Sequence, residues 1–530
     1  MLFIGAGTAG CVLANRLSAD PATSVLMLEA GGKDDWIWIH IPVGYLYCIG
    51  NKRTDWCYKT EPEPGLAGRV IGYPRGRVLG GSSSINAMLY LRGQARDYDE
   101  WAQLTGDSGW SWQNVLPLFM KSEDHWRGAD EKHGQGGEWR VERPKLTWEI
   151  LEAFADAAAE NGIPKVDDFN RGTNEGVGRF DVNQKNGVRW SASKAFLRPA
   201  MKRPNLAVIT GALVTKLRIE GRRVLGVEFR RGTEAQFAEA RRETILSAGA
   251  IGSPQILQLS GIGPGALLQR HGIGVVHDVP GVGENLQDHL QLRMAFKIQH
   301  ALTLNTLLGS KWSKALMGCQ YAWSRSGAMT MPPSQLGAFT RSDPAHATPD
   351  LEYHVQPISL DKFGDPPHKF NAFTASVCNL RPGSRGHVRI TSSDPTAYPS
   401  ISPNYLDTEE DRRTAARAIR LTRRIVLGTK ALKKYEPEEY TPGASFQSED
   451  ELVEAAGRIG TTIFHPVGTC RMGREHDASA VVDAQLRVRG IEALRVVDAS
   501  VMPTITSGNT NSPTLMIAER ASGFITGSRP

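Results

Sequence analysis

Near the start of the chain, short apolar runs alternate with a stretch of helical periodicity. Residues 2–4 (LFI) are continuously apolar, and residues 24–32 (SVLMLEAGG) form a second apolar run that reaches Glu29. Between them lie three glycines in G-x-G-x-x-G spacing: Gly5, Gly7 and Gly10. Apolar residues at helical spacing follow these glycines: Val12, Leu13 and Leu17. Strand, glycine turn, helix and strand predict a β-α-β unit.

A β-α-β unit of this kind binds dinucleotides, and each glycine has a physical task in it. Gly5 makes the tight turn, Gly7 lets the backbone meet the pyrophosphate, and Gly10 lets the helix pack on the strand. The helix N-terminus stabilises the phosphates, and Glu29 can accept hydrogen bonds from ribose hydroxyls. The acid argues against NADP but leaves NAD and FAD open. The first strand is short for such a unit, which indicates a natural start upstream of Met1 and predicts that the cofactor affinity of this chain is weakened.

A second glycine-rich stretch lies at residues 76–93 (GRVLGGSSSINAMLYLRG), where two glycines and three serines separate apolar runs. Gly80 and Gly81 allow a close backbone approach, and the serines offer hydrogen bonds. The pattern indicates either contact with a polar cofactor or an ordinary tight turn.

The segment 412–434 holds nine Lys or Arg and no acid. Its apolar residues recur near helical spacing: Ala416, Ile419, Leu421, Ile425 and Val426. We therefore predict an amphipathic helix. Its basic side is either a solvated face or a surface for an anionic membrane or an acidic partner.

Composition narrows the class of protein. A length of 530 residues exceeds one compact domain, so two domains are expected, and a net charge of +6 is too small to favour nucleic-acid binding. The six cysteines form no CxxC pair or metal-ligand cluster, which favours reduced thiols and no metal. We expect no membrane span and no signal peptide, hence a cytoplasmic location, with peripheral contact at the inner membrane through 412–434 as an option.

Further segments carry a family resemblance from residue 5 to residue 520. They are GRVLGGSSSIN (76–86), GAIGSPQILQLSGIG (249–263), PGVGENLQDH (280–289), HPVGTCRMG (465–473) and RVVDASVMPTITSGNTNSPTLMIAER (495–520). With the opening glycines, they resemble the glucose–methanol–choline (GMC) oxidoreductases, flavoenzymes that oxidise alcohols and include choline dehydrogenase-like members.

The resemblance implies an α/β fold, α+β overall, with two domains. A discontinuous Rossmann-like FAD-binding domain would take residues 1–150, 191–290 and 456–530. A substrate-binding domain, built on an antiparallel sheet plus helices, would take residues 151–190 and 291–455.

The resemblance also implies FAD as the cofactor. The expected contacts are Gly5, Gly7, Thr8, Ala9, Gly10, Glu29, Ala30, Gly80, Gly81, Ser82, Asn86, Val214, Ala248, Asp498, Ala499, Asn509 and Thr510. Some members attach FAD through a histidine in the Gly-Gly-Ser segment. This chain has Ile85 at the matching position, so non-covalent FAD is expected.

By the same resemblance, His465 in FHPVGT is the general base that removes the hydroxyl proton, while the α-hydrogen passes as hydride to flavin N5. Asn509 would hold the alcohol oxygen, or alternatively cap the next helix. Asn511 and Ser512 look better suited to capping, with Pro513 at the first helical position. Ile463 and Phe464 would shape the substrate pocket.

The substrate is predicted to be a neutral primary alcohol, aliphatic, aromatic or polyol. Between His289 and Ser342 there is no Asp or Glu to balance a cationic substrate such as choline. The stretches 312–323 (WSKALMGCQYAW) and 326–339 (SGAMTMPPSQLGAF) look like apolar pocket lining, or else core. The product would be the aldehyde, with electrons passed to a quinone or other acceptor. The alternatives are an oxidase that produces hydrogen peroxide, and a non-redox lyase or photodecarboxylase on the same fold.

Overall fold

The computed structural model describes residues 1–361 and 365–527. A five-stranded parallel sheet, with strands from both the N-terminal and the C-terminal parts of the chain, organises one half of the molecule. In spatial order its strands are Leu206–Thr210, Val25–Glu29, Leu2–Ile4, Thr244–Leu246 and Leu494–Val496. The short strand Leu2–Ile4 lies at the centre and is paired on both sides, which explains why all three residues are apolar and buried.

The predicted β-α-β unit is confirmed. Helix Thr8–Leu17 follows the central strand and packs against the C-terminal helix Asn511–Thr526. Gly5 has a φ of +97°, and a Cβ there would lie 2.5 Å from the carbonyl oxygen of Ser247. Only glycine fits this turn, because both the backbone angle and the space exclude a side chain.

A seven-stranded antiparallel sheet organises the other half of the molecule, as predicted. Its strands are Glu438–Thr441, Leu290–Lys297, Ala372–Asn379, Leu351–Gln356, Leu336–Thr340 and Gly176–Arg179, with Gly460–Thr462 also paired to Leu290–Leu292. The helices that contribute to the core on this sheet include Glu149–Glu160, Glu409–Leu427 and Glu449–Ile459. This core is separate from the core of the parallel sheet.

The remaining elements connect and flank the two sheets. The helices are Ile37–His40, Tyr45–Cys48, Ala95–Thr105, Trp112–Ser122, Arg198–Ala200, Gly249–Leu259, Gly265–Arg270, Leu304–Leu308, Lys311–Ser324 and Lys430–Lys433. The strands are Tyr58–Lys59, Gly72–Tyr73, Glu123–His125, Trp139–Val141, Gln184–Lys185, Val188–Arg189, Ala212–Glu220, Arg223–Arg231, Glu234–Glu239, Ile262–Gly263, His277–Asp278, His387–Arg389 and Ser400–Ser402.

One strand crosses the predicted domain division. Gly460–Thr462 belongs to the antiparallel sheet, although the division at residue 456 assigns it to the cofactor-binding part. The domain boundaries therefore stay a prediction. In the described part of the chain, no helix is both long and apolar enough to cross a bilayer.

The basic segment 412–434 forms two helices rather than one, Glu409–Leu427 and Lys430–Lys433. The five predicted apolar positions are all buried, so the amphipathic pattern is confirmed. Its arginines lie beside carboxylates: Arg417 is 3.2 Å from Asp343, and Arg423 is 2.8 Å from Glu439. These ion pairs balance part of the positive charge, and membrane contact through this segment stays a prediction.

Candidate active site

A cavity of about 470 Å³ extends from the carboxyl edge of the parallel sheet to the antiparallel sheet. At the first end its lining includes Ile4 and Glu29, which end two parallel strands, and Ser247, which follows a third. At the other end it is lined by side chains of the antiparallel sheet, among them Gln291 and His354. The carboxyl edge is where open α/β sheets bind ligands.

Most of the residues predicted to contact cofactor or substrate line this cavity. They are Gly5, Gly7, Thr8, Ala9, Glu29, Ala30, Gly81, Ser82, Asn86, Val214, Ala248, Ile463, Phe464, His465, Asp498, Ala499, Asn509 and Thr510.

Two predicted contacts, Gly10 and Gly80, are not among the lining residues. A Cβ on Gly10 would lie 2.1 Å from the Gly5 carbonyl oxygen, so Gly10 serves helix packing. Gly80 has a φ of +89° and precedes the turn that begins at Gly81. Both glycines therefore support the backbone next to the cavity without lining the cavity themselves.

The two glycine-rich segments of the sequence meet at the cavity. Gly81 has a φ of +52°, and a Cβ there would lie 2.7 Å from the Cα of Gly7. Backbone therefore packs on backbone where the G-x-G-x-x-G turn and the Gly-Gly-Ser turn come together. Residues 76–93 were predicted either to contact a polar cofactor or to form an ordinary tight turn. An ordinary turn does not explain why Gly81 packs against Gly7.

Two helices begin side by side at the cavity without a side-chain cap, Thr8–Leu17 and Asn511–Thr526. The Thr8 hydroxyl donates to Oδ1 of Asn511 at 2.7 Å and so joins the two helix starts. Their free N–H groups and dipoles favour an anionic group. The expected caps are wrong, because the helix begins at Asn511, two residues before Pro513, and neither Asn511 nor Ser512 caps it.

Two buried acids at this end have different surroundings. Each oxygen of Glu29 accepts one backbone N–H, from Ala6 at 2.7 Å and Gly31 at 2.8 Å, so lone pairs remain for ligand hydroxyls. Burial raises the pKa of Glu29. Asp498 instead accepts four hydrogen bonds, from Gly249 N at 2.9 Å, Ser253 Oγ at 2.5 Å, and the N–H and hydroxyl of Ser500 at 2.8 and 2.5 Å. Its carboxylate joins the start of helix Gly249–Leu259 to the turn at Ser500.

These features fit a dinucleotide. Uncapped helix starts suit a pyrophosphate, Glu29 suits a ribose, and Nδ2 of Asn511 and Oδ1 of Asn509 are buried without a hydrogen-bond partner within the described residues. Such unpaired buried groups are costly unless a ligand satisfies them.

His465 lies between two hydrogen-bonding side chains that determine its tautomer. His289 donates from Nε2 to the Leu380 carbonyl at 3.2 Å, so in its neutral form its Nδ1 is an acceptor. The 3.0 Å contact between the two Nδ1 atoms then requires that His465 donates from Nδ1. Nε2 of His465 therefore carries the lone pair, and Nδ2 of Asn509 donates to it at 3.0 Å.

Electrostatics keep His465 in its basic form. Burial lowers its pKa well below the usual value, and the nearby His289, His354 and Arg75 lower it further. Burial also lowers the pKa of His289. Both rings are neutral at neutral pH, as a general base before the reaction must be.

The backbone of His465 is fixed by Asp288, which accepts its N–H at 2.8 Å. The hydroxyls of Tyr405 and Thr462 each donate to the same carboxylate at 2.5 Å. The preceding Phe464 has a φ of +72°, which is unusual for a bulky residue. Nη2 of Arg75 donates to its carbonyl at 2.7 Å and holds the turn that aims His465 at the cavity.

Sequence reasoning missed Asp288 and His289 as functional residues. Both end the quoted family segment PGVGENLQDH, so the signal was present but was not connected to His465. These adjacent residues hold His465 at two points, the backbone N–H and ring Nδ1.

The substrate end of the cavity differs from the sequence prediction. The stretch 312–323 contributes no lining residue, and 326–339 contributes only Pro333 and Ser334. The lining side chains here include Tyr45, Ile49, Gln291, Ser334, His354 and Gln356. The prediction that 312–323 forms the pocket is wrong, because its helix lies on the surface.

A Rossmann-type sheet, a cavity whose features fit a dinucleotide and a neutral histidine at its far end are typical of a cofactor-dependent oxidoreductase. The chain belongs to the GMC oxidoreductase family: the N-terminal family model matches residues 1–291 and the C-terminal one residues 382–518. It is a FAD-dependent enzyme of the class that acts on CH–OH groups.

Similar proteins span the whole chain. An oxygen-dependent choline dehydrogenase of Photobacterium profundum is 42% identical over 535 residues, covering 100% of this chain and 93% of the relative. An alcohol dehydrogenase [acceptor] of Pseudomonas putida is 41% identical over 531 residues, covering 99% and 95%. The crystal structure of pyridoxine 4-oxidase from Mesorbium loti superposes with a TM-score of 0.90 at 33% identity, covering 100% and 99%.

Proposed function

We propose that the protein oxidises a neutral primary alcohol to the aldehyde with non-covalently held FAD and passes the electrons to a quinone or another acceptor. The observation that carries the proposal is the pair formed by His465 and Asn509. Nε2 of His465, which carries a lone pair, and Nδ2 of Asn509, which carries N–H groups, lie 3.0 Å apart at the cavity. An alcohol hydroxyl needs one acceptor for its proton and one donor to its oxygen.

The chain's own residues account for the proton and for the developing charge. Nε2 of His465 accepts the hydroxyl proton, and Nδ2 of Asn509 turns from that lone pair to the alcohol oxygen, where it stabilises the forming alkoxide. The hydrogen bond to His289 stabilises the ring as it becomes charged. FAD, when bound, supplies the hydride acceptor for the α-hydrogen. The uncapped helix starts and Glu29 would hold it, as would the other cavity-lining residues predicted as contacts.

An uncharged substrate is supported by the charges that line the cavity. Among the described lining residues the only carboxylates are Glu29 and Asp498, and both are hydrogen bonded at the cofactor end. Near His465 the lining includes the cationic Arg75 and the neutral amides Gln291 and Gln356. A quaternary ammonium group would meet no counter-charge there.

Non-covalent FAD is supported by Ile85, whose apolar side chain lines the cavity and offers no nucleophile. A cytoplasmic location is supported by six cysteines that are all unpaired and all within the described residues. The Pseudomonas relative, whose name leaves the acceptor unspecified, supports a dehydrogenase, whereas the Photobacterium relative, named oxygen-dependent, favours the oxidase alternative.

The first test compares choline with its carbon isostere, in which a tert-butyl group replaces the trimethylammonium. We expect the isostere to bleach bound flavin anaerobically, with a second-order rate constant of flavin reduction at least about tenfold above that for choline. The choline dehydrogenase relative makes choline the second candidate, and the reverse preference would establish it. Admitting air then separates a dehydrogenase, which recolours slowly, from an oxidase.

A variant pair tests the base. His465→Ala should keep the visible spectrum of bound FAD yet reduce flavin about 10²–10⁴-fold more slowly. His387→Ala removes a histidine outside the cavity and should reduce flavin at the normal rate. An unchanged rate in His465→Ala would refute the assignment, and an absence of bleaching by every alcohol would favour the lyase or photodecarboxylase.

A further inference from the structure

Helix Lys311–Ser324 exposes a stripe of large apolar side chains. Trp312 is 81% exposed, Leu316 68% and Trp323 94%, and Cys319 between them is also exposed. At about 100° per residue these four positions fall within roughly 60° of the helix circumference. The opposite side holds Tyr321, the helix's only buried residue among those described, whose hydroxyl donates to the Gly187 carbonyl at 3.1 Å.

The exposed helix lies in a segment that carries only positive charge. Residues 289–342 contain no Asp or Glu. Lys311 and Lys314 lie on the first turn of the helix, and Arg325 follows its last residue. All three side chains are exposed. The surface therefore combines apolar bulk with a local positive potential.

We propose that helix Lys311–Ser324 docks this protein on the surface of an anionic lipid bilayer. Trp side chains prefer the boundary between headgroups and acyl chains, where the ring is half buried and the indole N–H stays wet. Long basic side chains reach from that depth to anionic headgroups. A helix with an apolar stripe and no acid therefore lies in the interface plane, with Trp312, Leu316 and Trp323 inserted.

A second copy of the chain fits this surface less well. Pairing two such helices would bring together two segments that each contain Lys and Arg but no Asp or Glu, so neither copy would balance the charge of the other. A bilayer that contains anionic lipid supplies the missing charge. The basic helix Glu409–Leu427 is a weaker candidate, since its arginines already face carboxylates.

The docking helix is close to the cavity. The turn Ala328–Thr330 packs against helix Lys311–Ser324 and also against Pro42–Gly44. The residues after Pro42–Gly44 include Tyr45 and Ile49, which line the cavity. If the proposed alcohol oxidation holds, an apolar alcohol or acceptor dissolved in the bilayer has a short path to the site. The docking itself does not depend on that function.

Vesicle flotation of the FAD-loaded protein tests the proposal. We expect the protein to float with phosphatidylcholine vesicles that contain about 30% phosphatidylglycerol and to bind pure phosphatidylcholine at least about tenfold more weakly. The double variant Trp312→Ser/Trp323→Ser should lose at least about tenfold in binding to the anionic vesicles. The control variant Phe237→Ser removes an aromatic side chain that is 50% exposed on strand Glu234–Glu239, away from the docking helix, and should bind normally.

Two charge-reversal double variants distinguish the docking helix from the basic segment 412–434. Lys311→Glu/Lys314→Glu should bind anionic vesicles at least about tenfold more weakly, whereas Arg424→Glu/Lys433→Glu on the basic segment should bind normally. All four substitutions change exposed side chains, so thermal stability and flavin content should not change. The proposal is overturned if the native protein fails to float, or if the basic-segment variant alone loses binding. It is also overturned if light scattering finds a dimer that the Trp double variant abolishes while no form binds lipid.

Discussion

Replacing His289 tests whether one histidine fixes the tautomer of another. In His289→Leu the buried Nδ1–H of His465 loses its acceptor, which costs about 1–3 kcal/mol. The ring escapes this cost by moving the proton to Nε2, which removes the lone pair from the cavity. A penalty of that size corresponds to a reduction rate lower by about 5- to 150-fold. Binding of alcohol should change little, because His289 is not a lining residue.

The matched control is His289→Asn. Its side-chain oxygen occupies about the position of Nδ1, so it keeps the acceptor for His465 while losing the donor to Leu380. Anaerobic stopped-flow reduction should show a large loss of rate in the Leu variant and recovery to within about fivefold of native in the Asn variant. Both variants should bind FAD with an unchanged visible spectrum. Equal losses in the two variants, or a loss confined to KM, would refute the tautomer argument.

Three further predictions follow from burial, charge and backbone geometry. Because the pKa of His465 is lowered by burial, kcat/KM should stay flat as pH falls from 9 to about 6.5 and should drop only below that; a steep fall above pH 7 in a rapid-quench or steady-state profile would contradict it. Gly81→Ala should lose visible flavin on gel filtration, since its Cβ would lie 2.7 Å from the Cα of Gly7 at a φ of +52°. Burial lowers the pKa of His133, but its acidic partners, among them Asp168 at 2.8 Å, raise that pKa to about 9. Up to about 3 kcal/mol of folding stability, present below pH 6.5, should therefore be lost as the pH rises through 9. Denaturant melts across that range should show this loss in the native protein, whereas His133→Leu should be less stable but flat with pH.

The cofactor end could be predicted because its chemistry is written in local sequence. The turn at Gly5, the helix start at Thr8 and the acid at Glu29 lie within one β-α-β unit, where strand, turn and helix are set by near neighbours. The family segments supplied His465 and Asn509 in the same way, as short motifs. Each residue could be assigned without knowing what lies across the cavity.

The surface helix shows where sequence pattern reaches its limit. An apolar stripe at Trp312, Leu316 and Trp323 indicates only that one side of a helix differs from the other. Interpreting that stripe as pocket or core assumes that the chain itself provides the covering surface. Here the only buried side chain of the helix, within the described residues, is Tyr321 on the opposite side. The exposed stripe is therefore explained by the proposed docking surface and not by the cavity.

The support of His465 depends on the register between two strands that are far apart in sequence. Leu290 pairs with Thr462 in the antiparallel sheet, and the pairing continues as the N–H of Ile463 donates to the His289 carbonyl at 3.0 Å. In this register Asp288 reaches the backbone of His465 and His289 reaches its ring. Because strand side chains alternate between faces, a slip of one residue would point His289 away from His465 and leave His465 without a fixed tautomer. No local pattern encodes that register, which is why the motif residues could be identified from sequence whereas the contacts that hold His465 could not.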